Sequence, residues 1–352
     1  MTIPRRVHEN IPISSCQLEQ SGYDPFIDFL KGICIMLVVL THCIPSWLNE
    51  STLFIIWGAP AVPVFLLLQV FHAYKKGTNN VTTNYTKLWK RVIKPFIIME
   101  LVIISVCFIT KCVLQDYNAK EFLEETILWG GLGPGSYYPW IYIQFAILMP
   151  FFAAIFQHIS GAWLCIAFVA FAELIEIACS IYDIGQRTYR LLALRFVLIF
   201  YLGYLLATKR IVINTFTLFL SFLSLAATYV VSTGKDLEPF VFSFQYKSHH
   251  WFCFIYIAII YIAVLQFIFH FVSAYMPTIR RYIIKVGKYS YEVFLFQMFY
   301  FVLIHEHVTK LLFSVSGHWT TSEVLAMLFA LPTCVLFVIT YKDWHLSHTL
   351  KT

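Results

Sequence analysis

The chain has 352 residues, of which 59% are hydrophobic, 18% aromatic and only 12% charged. A soluble domain carries about a quarter charged residues, so these proportions exclude a soluble enzyme or soluble binding module and place the chain in a lipid bilayer. The net charge of +6 is scattered through short connections between apolar stretches, which gives no expectation of a nucleic-acid partner.

Residues 1–25 are polar and lack the apolar core and small-residue cleavage site of a secretory signal, so they read as a cytoplasmic leader. Ten apolar stretches follow, each of a length to cross about 30 Å of hydrocarbon as a helix. Their cores are 26–48, 52–74, 92–110, 137–156, 162–182, 191–207, 211–231, 251–272, 289–305 and 322–341. The expected fold is therefore an all-α polytopic bundle of about ten transmembrane helices over 26–341, with a tail at 342–352. Lys and Arg mark cytoplasmic loops. Arg5, Arg6, Lys75, Lys76, Lys87, Lys90, Arg91, Lys94, Lys209, Arg210, Arg280, Arg281, Lys285, Lys288, Lys342 and Lys351 gather on one side, against a thinner set on the other. Both termini are accordingly expected inside, although the link "QHISG" at 157–161 carries no Lys or Arg of its own. The nine cysteines show no CxxC pair or metal-ligand spacing, so a packing role is expected and no metal. No pair of broken helices in corresponding halves is evident, which weakens a transporter reading.

The first stretch, "DFLKGICIMLVVLTH", carries three ionisable groups. Lys31 and His42 are eleven residues apart, about three helical turns plus 20°, so they share a helix face about 16 Å apart in rise. Asp28, one turn before Lys31, extends the same stripe. Such groups are costly in lipid and should face a polar cavity. The alternative is an interfacial Asp28–Lys31 pair with Lys31 snorkelling and a structural His42 near the opposite interface.

This segment resembles the first-helix signature of the membrane-bound acyltransferase-3 family, in which a basic residue precedes a His by ten intervening positions. The resemblance continues in order through "VFLLLQVFHAYKKG", "LWKRVIKPFI", "GPGSYYPWIYIQFAILMP", "FYLGYLLA" and "VGKYSYEVFLFQMF". Lys31 stands where the family usually has Arg, Gln69 and its neighbours replace a Ser-Gly, and Gln297 stands where many members have His.

The resemblance implies an integral O-acyltransferase of the cell's inner membrane. It would move an acyl group, usually acetyl, from cytoplasmic acyl-CoA to a hydroxyl of an envelope glycan, exopolysaccharide or lipid-linked saccharide. Acetyl-CoA would be a donor substrate, with no permanently bound cofactor. A histidine with its pKa near neutrality can accept a sugar hydroxyl's proton, and His42 is assigned that role. The donor's phosphates call for a basic mouth, for which Lys31, Arg91 and Lys94 are the candidates. Asp28, about 21 Å along the helix from His42, is too distant to orient it and is expected at the mouth.

Further acceptor-side candidates lie within other helices. Glu173 and Glu176 share a face of the fifth span, and Arg195 in the sixth lies at the depth of Glu176, so a buried ion pair and an acceptor contact are both open readings. Glu292 follows "GKYSY" and is expected to support the site. "GPGSYYPW" offers Tyr137, Tyr138 and Trp140 for sugar stacking or as interfacial anchors, and Gln144, one turn from Trp140, is the polar candidate. A transporter or flippase for a small anion or lipid-linked sugar, or an inactive homologue that only binds, would also use the stripe. The acceptor and the oligomeric state are not indicated.

Overall fold

Apolar runs of this length can satisfy their backbone hydrogen bonds in lipid only as helices or closed barrels, and the chain forms helices. The computed structural model describes residues 24–75, 85–115, 117–128, 130–159, 161–211, 214–233 and 251–349. The leader over 1–23 with Arg5 and Arg6, and the loop and tail positions Lys76, Lys235, Lys247 and Lys351, lie outside the described residues.

The principal helices in chain order are α1 (Pro25–Thr41), α2 (Ala61–Lys75), α3 (Tyr85–Val113), α4 (Tyr137–His158), α5 (Ala162–Ile181) and α6 (Val197–Ala207), then α7 (Thr215–Thr233) and α8 (Trp251–Tyr275). They are followed by α9 (Pro277–Lys288), α10 (Ser290–Leu303), α11 (His305–Ser316) and α12 (Trp319–Thr349). Among the described residues, seven helices are long and apolar enough to cross a membrane, and eight if α10 and α11, bent by 55°, form one span. The protein is an all-α, multi-pass membrane protein.

Two of the ten expected stretches, the first and the sixth, are not among these eight spans. Helix α1 has 17 residues and α6 has 11. Both are interior elements: every residue from Val197 to Tyr204 is buried, as are Phe29, Leu30, Cys34, Ile35 and Val39 of α1. A helix jacketed by others can end short of the lipid boundary, because the protein around it supplies the apolar surroundings and polar partners. The jacket shows the converse pattern, with Ile98, Leu101, Trp163 and Phe267 exposed as a lipid-facing surface would require.

One helix break was not visible in the sequence. The α10/α11 bend falls at Ile304, within "YFVLIHEH", which has neither Pro nor Gly. Among the described residues it is the one span broken in this way.

The tightest contact in the bundle is between α1 and α9. A Cβ on Gly32 would stand 2.2 Å from the Ile283 carbonyl oxygen, and one on Gly287 would stand 1.7 Å from that of Asp28. Only glycine allows two backbones so close, the usual device of small residues between membrane helices. The consequence is positional: Lys288, next to Gly287, is brought to the same end of α1 as Lys31.

Candidate active site

A single cavity of about 750 Å³ runs between α1, α2, α4 and α10, with Lys31 and His42 both in its wall. At the Lys31 end its wall also carries Lys90, Arg91, Lys288, Glu292 and Lys342. Towards His42 it is lined by Val38, Phe65, Gly135, Tyr137, Tyr138 and Phe294. The volume falls in the range of small-molecule sites.

Lys31 Nζ lies 3.4 Å from Asp28 Oδ1, with Asp28 buried behind it. One carboxylate therefore holds the lysine at the mouth, and the remaining ammonium hydrogens are free in direction to meet an anion. Glu292 pairs with Lys342 at 2.7 Å, tying α10 to α12. Helix α12 continues unbroken past Lys342 to Thr349, so the expected tail begins as helix and delivers Lys342 to the cavity wall.

Arg91 reaches the wall because α3 opens into a π-helical turn over Trp89–Ile93. Such a turn leaves carbonyls without their usual partners; Lys94 N–H bonds back to Trp89 O, and the Tyr291 hydroxyl donates to Val92 O at 2.7 Å. The wider turn changes which residues share a face. Lys90, Arg91, Val92 and Pro95 line the cavity, whereas Lys94 does not.

His42 caps the C-terminus of α1, with its N–H on the Leu40 and Val39 carbonyls. Its ring packs edge-on against Phe301 at 5.9 Å, and it is half-buried.

Opposite α1 the wall is built by a glycine turn. Gly130, Gly131, Gly133 and Gly135 all have positive φ, between 75° and 120°. Glu100 of α3, buried, accepts the Leu132 N–H at 2.9 Å, and Trp140 donates to Gly130 O at 2.6 Å. This turn sets Tyr137 and Tyr138 into the cavity. Gln69 is fixed by its amide on Tyr142 O at 2.9 Å.

Five of the expected acceptor-side residues, Trp140, Gln144, Glu173, Glu176 and Arg195, lie outside this cavity wall. Gln144 donates to Leu191 O at 2.7 Å and accepts from Ala193 N at 3.3 Å, clamping α4 to the turn before α6. Glu176 accepts the Tyr189 hydroxyl. The Arg195 guanidinium, almost completely buried, lies over the rings of Tyr189 at 4.6 Å and Phe196 at 4.3 Å. Glu173 accepts the Trp251 indole N–H. These groups fasten α5, α6 and α8 to one another.

The cavity thus joins a basic mouth to a histidine along one helix. The acyltransferase-3 family model, described as an acyltransferase domain, matches residues 24–341. The chain belongs to this acyltransferase family. No curated protein and no solved structure matches it. As a membrane acyltransferase it carries the matched region from the first described residue, Asp24, to Tyr341, one residue before Lys342. Tyr142, Lys288 and Lys342 are cavity residues that sequence reasoning did not single out for the site. For the two lysines the available signal was only their place among the positive loop residues.

Proposed function

We propose that this membrane acyltransferase moves an acyl group, acetyl in the simplest case, from cytoplasmic acyl-CoA to a hydroxyl of an envelope glycan or exopolysaccharide, with His42 as general base. The observation that carries the reading is the continuity of one cavity from Lys31 to His42. The basic mouth suits the phosphates of CoA, with Lys31 and Arg91 in its wall and Lys94 outside it. The positive-inside distribution supports a cytoplasmic position for this mouth. The inner membrane as location and a glycan or lipid-linked saccharide as acceptor belong to the same proposal.

In this mechanism the thioester reaches up the cavity and the acceptor hydroxyl approaches its carbonyl carbon near His42. His42 removes the hydroxyl proton as the new C–O bond forms. The C–S bond breaks, and the proton held by His42 passes to the departing thiolate, releasing CoA and the ester. Tyr137 and Tyr138 offer faces on which a sugar ring can stack, and Asp28 and Glu292 support the mouth by holding Lys31 and Lys342.

The test uses the purified protein in lipid nanodiscs. Acetyl-CoA bearing a labelled acetyl group should raise the unfolding temperature and lose its label to an envelope-glycan extract, and His42→Ala should slow transfer by about 10² to 10⁴-fold while keeping CoA-dependent stabilisation. Flux of a sugar or anion across a vesicle wall without CoA would instead establish a transporter.

A further inference from the structure

We propose that the side-chain amide of Gln297, facing the bare backbone of Gly135, is the hydrogen-bond donor that holds the acyl carbonyl oxygen during transfer. The proposal rests on the acyl-CoA reading above and adds a catalytic residue to it.

Gln297 is completely buried in the middle of α10. Neither its Nε2 nor its Oε1 has a hydrogen-bond partner among the described residues. Buried polar side chains are nearly always paired, and an unpaired amide costs about 1 to 3 kcal/mol relative to its being satisfied. A methionine or leucine would fill a buried place of this size without that cost.

Its position explains what the amide can serve. Phe294, three residues earlier, lines the cavity. Phe301, four residues later, packs on the His42 ring. Residues three and four apart share a helix face, so Gln297 stands on the stripe of α10 that runs from Phe294 in the cavity wall to Phe301 on the His42 ring. Across from it is Gly135, which lines the cavity with φ 87°. A Cβ at Gly135 would lie 4.0 Å from Gln297 Nε2 and 2.9 Å from the Phe294 ring. The missing side chain leaves the Gly135 backbone bare beside the amide, under the Phe294 ring, where any other residue would clash; Gln297 itself stands just behind the cavity wall that Gly135 and Phe294 form.

An acyl oxygen that reaches the cavity wall at Gly135, with the Phe294 ring turned aside, would receive the Nε2–H. As the acceptor oxygen bonds to the carbonyl carbon, the C=O pair of electrons moves onto this oxygen. The amide stabilises that charge in a water-poor setting, where a fixed donor is worth most. When the C–S bond breaks the carbonyl reforms, and the amide is unchanged.

The experiment compares wild type with Gln297→Met and Gln297→Asn in nanodiscs. It follows CoA release from acetyl-CoA with an envelope-glycan extract, CoA-dependent thermal shift, and the infrared carbonyl band of [1-¹³C]acetyl-CoA. The expected result for Gln297→Met is a loss of about a hundredfold in rate, an unchanged or raised unfolding temperature, CoA affinity within twofold, and an upward shift of the carbonyl band. Gln297→Asn, which withdraws the amide by one methylene, should lose rate with the same retained affinity, and it stands in if the Met variant fails to accumulate. Variants that keep the rate within threefold, or that lose stability and CoA affinity together with it, overturn the proposal. Wild-type protein that releases no CoA overturns the acyl-CoA reading and this one with it.

Discussion

The ring of His42 meets Phe301 edge-on at 5.9 Å, so the histidine at the end of α1 is oriented by a residue of α10. Phe301→Ala should therefore weaken the chemical step by removing the wall that positions the imidazole. His42→Ala should be more severe, at about 10² to 10⁴-fold for a lost general base. Single-turnover transfer separates the two, and equal effects would mean that Phe301 does more than orient.

Arg91 and Lys94 should respond differently. The π-helical turn puts Arg91 in the cavity wall and leaves Lys94 outside it. Arg91→Ala should raise the donor Kd roughly tenfold, the scale of one charge-assisted contact, whereas Lys94→Ala should change it less than twofold. Titration with acetyl-CoA in nanodiscs reads both, and a larger effect at Lys94 would contradict the assignment of the mouth.

The α1/α9 crossing should tolerate no side chain. At Gly287 a methyl group would overlap the Asp28 carbonyl oxygen, a backbone atom that cannot rotate away. Gly287→Ala should cost on the order of 1 to 3 kcal/mol of stability or more, as overpacking does. It should also impair donor binding, because Lys31 and Lys288 flank the contact. Thermal unfolding with and without CoA measures the two effects.

Glu100 should be replaceable by glutamine but not by leucine. Its carboxylate accepts the Leu132 N–H, and a glutamine oxygen can do the same. Leucine would leave that N–H unpaired at a cost of about 1 to 3 kcal/mol and would loosen the glycine turn carrying Tyr137 and Tyr138. Transfer near wild type in Glu100→Gln and strongly reduced in Glu100→Leu is the expected pattern.

The amino-acid sequence by itself determined the class of protein and the axis of its candidate site. Apolar stretches of about 20 residues are the length of membrane-spanning helices, about twice that of a barrel strand, and the 100° periodicity of a helix alone puts Asp28, Lys31 and His42 on one face. The ordered motifs also sufficed to identify the acyltransferase family. The tertiary structure decided which of the remaining polar residues meet that axis. Gln144, Glu176 and Arg195 looked equally available on their own helices, but their hydrogen bonds and ring contacts are spent on joining α4, α5 and α6. Arg91 and Lys94 were indistinguishable until a π-helical turn changed the angle between them. Lys288 and Lys342 come to the mouth only through helix crossings, and Gln297 gains its meaning from a glycine far away in the chain. Periodicity reports which residues share one helix face; which face meets which neighbour depends on packing between distant segments, and no local pattern encodes it.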